Sequence, residues 1–355
     1  MLSALNALRF FAIVMMYFHH LDYPVGIGAF PVTFFFALSG FVIAYNYDRK
    51  FDTLDRKSIC HFLIKRISKI YPLHLLTFVF SLPILYVLNM RLFNGYAVLN
   101  IFLLHSYYPI GPSIFSYNPL SWFISDMMFF YLLTPLILFL LQKYPIFRNA
   151  KTLRFIILIV FGCEAGIVMP FKVEPYSVSW WFVYISPYMR IFDYLIGMLL
   201  GVYFVLVRND IDNGPKNRIV STLLEAAALF SVFLSIYYAW RISYPSLLWS
   251  VYFIPCSALV IMVFSRQQGI LSDILSRKVF VELGNVSFTI YLIHQLAIYY
   301  TKFYFLSPIY GMTWEFKHLF SQLLLLSVII FLADTLNRYF VEPVRKRIAA
   351  WSMQR

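Results

Sequence analysis

Charge is scarce in this chain. Only 13% of its 355 residues are Asp, Glu, Lys or Arg, while 61% are hydrophobic and 20% aromatic. A soluble domain of this length cannot cover itself with so little polar surface, so the soluble classes are excluded. Acid is scarcer than base: 16 Asp and Glu stand against 29 Lys and Arg, a formal net charge of +13. In a soluble protein that imbalance would point to nucleic acid. In an apolar one, the basic bias of cytoplasmic loops accounts for it, and no nucleic-acid partner is expected. Cysteine is almost missing. Cys60, Cys163 and Cys256 are scattered and odd in number, which argues against a disulfide framework and leaves no CxxC or Cys/His metal spacing. No A-x-A-like site follows the apolar stretch 10–18, so it reads as an uncleaved first span. A low-complexity linker, a soluble appendage and the internal repeat of many transporters are all absent.

What is present is a series of apolar runs, most of them near 20 residues long, the mark of a polytopic all-α membrane protein. The expected spans are 5–22, 29–47, 70–90, 120–141, 153–170, 180–207, 219–239, 247–264, 285–305 and 318–341. Span three is expected to start at Tyr71-Pro72, where proline suits a first helical turn. The stretch 96–110 is short for a crossing and reads as a re-entrant or surface helix. With it turned back, the basic loops 48–69, 142–154, 208–218 and 265–283 and the tail from Arg345 all fall on the cytoplasmic side. Arg91, Lys172, Arg241, Lys302 and Lys317 then lie on or near the outside. The reading is one bundle of about ten spans, one membrane domain, with both termini cytoplasmic.

The chemistry centres on residues 9–40. Arg9 and His20 lie eleven residues apart in an apolar helix, about three turns, and so share nearly one face. Ionisable groups in such a helix are expensive and call for a use. A buried His20 in a water-lined cavity suits a general base, whereas His19 points about 100° away and reads as interfacial. Arg66 and Lys69 sit at i, i+3 near the cytoplasmic edge, and two adjacent cations suit a phosphate-bearing ligand. The same pair can equally hold anionic lipid and set topology. Arg190 with Asp193, and Asp334 with Arg338, are at helical pair spacing and can neutralise one another. Asp126, Glu164 and Glu225 are further charges within spans. Ser287, Tyr291 and His294 form a polar stripe at i, i+4, i+7, which can also serve helix–helix hydrogen bonding. Trp180, Trp181 and Tyr184 read as an aromatic belt at the outer face, with stacking on a sugar ring as the alternative.

Taken in order, these pieces resemble the acyltransferase-3 family of bacterial membrane-bound O-acyltransferases, over nearly the whole chain. Arg9 and His20 match its Arg-x10-His signature, and F-F-F-A-L-S-G-F at 34–41 its Phe-rich Ser-Gly segment. R-x-x-K at 66–69 before Tyr71-Pro72 resembles its Arg-x-x-Arg motif. N-P-L-S-W at 118–122 with F-F-Y at 129–131, R-I-F-D-Y-L-I-G at 190–197, G-N-V-S-F-T-I-Y-L-I-H at 284–294 and V-E-P-V-R at 341–345 resemble its later segments. Two departures stand out. Lys69 replaces an arginine, keeping charge but losing bidentate geometry. Met127 stands where the family often has Glu, with Asp126 one residue away.

The resemblance implies transfer of an acyl group, acetyl in the first instance, from acyl-coenzyme A to a hydroxyl. The acceptor would be a sugar of a cell-surface glycan or of its lipid-linked precursor, and the setting a bacterial inner membrane. Arg66 and Lys69, with Arg9, would hold the donor's phosphates. His20 would be the base. Ser39, Tyr291 and His294 would be candidate oxyanion donors, and Asp193 or Glu342 would orient a partner. No permanently bound cofactor, no metal and no fused extracytoplasmic domain are expected. A proton-coupled transporter using His20, Asp126 and Asp193, or a catalytically altered family member, are the rival readings.

Overall fold

The structure is a computed structural model describing residues 2–213, 217–306 and 319–353. Lys317 and residues 214–216, 354 and 355 of the expected basic segments lie outside the described residues. Every regular element among the described residues is helical: α1 (Ser3–His19), α2 (Val25–Asn46), α3 (Arg56–Val87), α4 (Gly95–Ile101), α5 (Gly111–Ile114), α6 (Ser121–Lys143) and α7 (Ala150–Val168) come first. A short α8 (Val178–Trp180) runs into a π-helical turn, Trp181–Ile185. Then come α9 (Pro187–Asn213), α10 (Arg218–Tyr238), α11 (Pro245–Trp249), α12 (Ile254–Phe264), α13 (Ile270–Leu275) and α14 (Lys278–Tyr300), with closing helices Leu319–Leu336 and Glu342–Met353.

Among the described residues seven helices are long and apolar enough to cross a membrane: Gly26–Asn46, Arg56–Val87, Ser121–Lys143, Val178–Ile211, Arg218–Arg241, Lys278–Tyr304 and Leu319–Ile348. The other three expected spans are helical too. Ser3–His19 and Val251–Phe264 are shorter, and α7 carries Lys151, Arg154 and Glu164. Two sequence expectations need correction. Span three does not start at Pro72: α3 begins at Arg56, where Asp55 accepts the Ser58 N–H at 2.8 Å, and Pro72 lies inside the helix. The Ser58 hydrogen bonds also hold the Asp55 carboxyl below its usual pKa. The basic stretch 56–69 is therefore helix rather than loop. Within 96–110 only residues 96–101, the body of α4, are helical, about 9 Å of helix, followed by turns.

Capping is done by asparagine. Asn94, Asn149 and Asn217 each accept two backbone N–H groups at the starts of α4, α7 and α10. Non-glycine residues make the left-handed turns, among them Asp22 (φ 68), Leu103 (φ 56) and Tyr117 (φ 62). Gly40, Gly197 and Gly201 lie where helices touch.

The described residues of Met1–His19, Tyr23–Ile59 and Phe129–Asn285 form one compact unit; those of His20–Asp22, Cys60–Met128 and Val286–Arg355 form a second. In the first unit α2 packs along α9, with α1 and α12 also against α2 and α7 against α9. A Cβ on Gly40 would overlap the Tyr194 carbonyl, and one on Gly197 the Ala37 carbonyl. Gly201 continues the row, with its would-be Cβ 2.6 Å from the Phe41 oxygen. This is the small-xxx-small packing of membrane helices, in which backbones approach because no side chain intervenes. At the start of α14, Asn6 of α1 bonds to the Val281 carbonyl and to Asn285 at 3.0 and 2.9 Å.

Elsewhere in the first unit, buried Glu225 of α10 clasps the start of α13. Its carboxylate accepts the N–H groups of Gly269, Leu271 and Ser272 at 3.0, 3.0 and 3.2 Å, and the Ser272 hydroxyl. Glu225→Ala should orphan several buried donors at about 1–3 kcal/mol each. Thermal unfolding in detergent should show a clear loss of stability, and an unchanged midpoint would refute the clasp.

In the second unit Phe78, Leu85, Ala97 and Tyr117 form an apolar core, with the Phe78 and Tyr117 rings stacked at 4.3 Å. The Tyr300 hydroxyl of α14 donates to the Phe80 carbonyl of α3 at 2.7 Å.

Candidate active site

The end of α1 is fixed by backbone geometry. Asp22 takes the left-handed conformation and the Tyr23 N–H reaches back to the Phe18 carbonyl at 3.3 Å, a Schellman-type stop. The helix ends at His19, so the turn, not helical phase alone, places His20. His19 is half-buried, with its ring against Gly28 and its Nδ1 donating to the Tyr23 carbonyl at 3.4 Å. It is packed rather than simply interfacial.

His20, in the second unit, is half-buried and meets His294 of α14. His20 Nδ1 and His294 Nε2 are 2.9 Å apart, with ring centroids at 5.1 Å. The other nitrogen of His294, Nδ1, lies 3.1 Å from the Ile290 carbonyl, which can only accept. His294 Nδ1 therefore carries hydrogen, and in the neutral ring its Nε2 is an acceptor. It follows that His20 donates from Nδ1, and the lone pair of neutral His20 is on Nε2. Tyr291, one turn before His294, spends its hydroxyl proton on the Leu120 carbonyl at 2.9 Å.

Behind this pair lies a buried polar network that the sequence did not reveal. His74 donates to the Asn100 carbonyl at 3.0 Å. Asn100 Nδ2 reaches the Ser116 carbonyl and the Ser121 hydroxyl at 3.0 and 3.3 Å. Ser121 gives its own proton to the Asn118 carbonyl at 2.7 Å, so His105 Nε2, 3.1 Å away, must be the donor to Ser121. Burial, with His74 beside it, pushes the His105 pKa down to about 3. Ser106 donates to Ser125, and Ser125 to the Leu103 carbonyl, at 2.7 and 2.6 Å.

The first unit holds a second charged cluster. Arg190 pairs with Asp193 at 3.0 Å, both wholly buried. Its guanidinium also donates to the Trp249 carbonyl and the Thr33 hydroxyl at 3.1 Å each, and faces the Phe36 and Tyr184 rings at 5.4 and 5.7 Å. These contacts hold the guanidinium, while Arg190 Nε and both Asp193 oxygens have no hydrogen-bond partner among the described residues. Glu164, also buried, accepts from Ser250, while its Oε2 has no partner among the described residues.

The sequence profile of an acyltransferase domain, acyltransferase-3, matches residues 2–336. The chain belongs to the acyltransferase-3 family. A relative, Acyltransferase MdmB of Streptomyces mycarofaciens, is 28% identical over 335 residues, covering 84% of this chain and 79% of that protein. No solved structure matches. The chain is thus an acyltransferase, with the helices of a multi-pass membrane protein.

Within this acyltransferase the structure brings His20, Tyr291 and His294 together, and separately Arg190 and Asp193. Arg9 is half-buried in the first unit, with Nη1 3.3 Å from Asn6 Oδ1, and Ser39 is half-buried on α2 beside Gly40. In the second unit Asp126, Met127 and Ser287 are buried. Arg66 and Lys69 are half-buried on α3, with the Arg66 guanidinium 5.3 Å from the Phe62 ring. Glu342 is bonded to Arg345 at 2.6 Å, a local pair on its own helix. Asp334 pairs with Arg338 at 2.8 Å, as its spacing suggested. The Tyr291 hydroxyl donates to the Leu120 carbonyl and His294 Nδ1 to the Ile290 carbonyl. Trp180, Trp181 and Tyr184 are buried, not an exposed belt. Among the described residues no three His, Cys, Asp or Glu side chains are grouped to hold a metal.

Sequence reasoning overlooked His74, Asn100 and His105. Their signal was the same one that raised Asp126: isolated polar residues within apolar runs. Asn118 sat in a quoted motif but was given no role.

Proposed function

We propose that this acyltransferase moves an acyl group, acetyl in the first instance, from cytoplasmic acyl-coenzyme A to a hydroxyl of a sugar in a surface glycan or its lipid-linked precursor. The observation that carries the reading is the histidine pair, in which the lone pair of neutral His20 is on Nε2, the proposed base. His20 Nε2 takes the acceptor hydroxyl's proton as that oxygen attacks the thioester carbonyl. The tetrahedral intermediate collapses, the C–S bond breaks, and the departing thiolate recovers the proton from His20. His294 accepts the Nδ1 hydrogen throughout and supports the charge on the imidazolium. The whole chain acts as one membrane domain in a bacterial inner membrane.

Arg66 and Lys69 are assigned to the donor's phosphates. Hydrogen bonds to charged groups contribute about 1.5–3 kcal/mol each, so Arg66→Ala with Lys69→Ala should weaken coenzyme A binding by about two orders of magnitude or more. Lys69→Arg should retain it. Calorimetric titration of purified protein with coenzyme A measures both, and equal affinity in wild type and double variant would leave the two cations as lipid anchors. Release of free thiol from acetyl-coenzyme A, with and without candidate glycan acceptors, tests the reaction itself; stimulation by a hydroxyl acceptor is expected.

A further inference from the structure

The turn 116–121 is tied to α14 beside the histidine pair by two hydrogen bonds of opposite sense. Asn118 Nδ2 donates to the Leu292 carbonyl at 2.8 Å, and the Tyr291 hydroxyl donates back to the Leu120 carbonyl at 2.9 Å. The two α14 residues involved lie within one helical turn of His294. Asn118 is wholly buried and every part of it is used. Its Oδ1 accepts the Leu120 N–H at 3.2 Å, and its carbonyl accepts the Ser121 hydroxyl and N–H at 2.7 and 2.9 Å.

The turn is also held in an unfavourable shape. Tyr117, just before Asn118, has φ 62. Non-glycine residues persist there only when their surroundings over-determine them. Here the surroundings are the Phe78 ring, the Leu92 carbonyl that accepts the Tyr117 hydroxyl at 2.9 Å, and the network through Asn100 and His105. A rigid support is thus built at the point where Asn118 grips α14.

We propose that Asn118 is a positioning residue for the reaction. Its grip on the Leu292 carbonyl fixes the α14 turn that carries His294. His294 in turn fixes the orientation and tautomer of His20. The proposal rests on the reading of His20 as the base. Because a misplacement of 1 Å can cost about 10²-fold in rate, a tether that defines α14 at this level matters to the chemistry and not only to stability.

The test is Asn118→Leu, which keeps the volume and removes both polar groups, beside Tyr291→Phe, which removes the second tether and keeps the ring. Full-length protein is purified in detergent and quantified as folded monodisperse protein. Acyl transfer per folded molecule is expected to fall by about 10- to 100-fold in kcat for Asn118→Leu, with the KM for acyl-coenzyme A unchanged. Tyr291→Phe should move in the same direction by less, and carries the test if Asn118→Leu does not fold. ¹⁵N spectra of histidine-labelled protein should show His20 protonated on Nδ1 in wild type and a mixture of tautomers in Asn118→Leu. Wild-type kcat per folded molecule, with only the folded yield reduced, would make Asn118 merely structural and overturn the proposal. So would a lost kcat with the His20 tautomer unchanged. If His20→Ala instead kept full transfer, the base reading would fall, while the tautomer spectra would still report whether Asn118 sets the pair.

Discussion

His20→Ala is expected to lower acyl transfer by about 10²–10⁴-fold, the usual contribution of general-base catalysis, while the protein still folds and binds acyl-coenzyme A. A sugar hydroxyl is a poor nucleophile until a base takes its proton. The proposed base is the lone pair of neutral His20 on Nε2: the Ile290 carbonyl fixes the tautomer of His294 at 3.1 Å and His294 fixes that of His20 at 2.9 Å. His19 is the internal control. Its ring packs on Gly28 and its Nδ1 bonds the Tyr23 carbonyl, so His19→Ala should cost packing and leave transfer per folded molecule near wild type. The measurement is acyl transfer by both variants, normalised to folded protein. Near-wild-type transfer by His20→Ala would remove the mechanism.

The largest structural effect is expected at Gly197. A side chain there must displace the Ala37 carbonyl of α2, and the row continues through Gly40 and Gly201. Backbone cannot yield as a flexible side chain can. Overpacking a well-filled core costs about 1–3 kcal/mol per insertion, and a leucine adds several atoms at the closest approach of two central helices. Gly197→Leu should therefore abolish the monodisperse peak in size-exclusion chromatography of detergent extracts. Gly162→Ala on α7 is the contrast. A Cβ there meets nothing within 4 Å, so the change should be tolerated and slightly favour the helix. A monodisperse Gly197→Leu protein melting like wild type would refute the close packing of α2 and α9.

Much of the helical pattern was legible because apolar runs of membrane length leave few alternatives. Pro72 misled the reading of α3: proline suits a first turn, but here Asp55 caps the helix seventeen residues earlier, and Pro72 lies inside it. The Arg190–Asp193 pair was readable from spacing, since its partners are three residues apart. Its third charge, Glu164, was not, because nothing local in α7 announces where a lone acid points. Trp180, Trp181 and Tyr184 looked like an interfacial belt, since the sequence does not show that Arg190 draws Tyr184 inward as a ring face for its guanidinium. The meeting of His20 and His294, 274 residues apart, could come only from the resemblance and the fold. Gly40 and Gly197 were noticed as motif letters, and their role became physical only once Ala37 and Tyr194 were seen against them.

The hydrogen bond from His294 Nδ1 to the Ile290 carbonyl also decides which way a proton can travel. A wire across a membrane needs a group at each step that can take a proton on one side and release one on the other. His20 can do this, but the chain of rings stops at a backbone carbonyl, which holds no proton to pass on. Along this branch the pair ends at the Ile290 carbonyl. In the proposed reaction a proton taken up at His20 Nε2 goes to the thiolate that has just been released. That is the behaviour of an acid–base catalyst that is reset within each turnover, and it is unsuited to a carrier that must hand its proton to the far side.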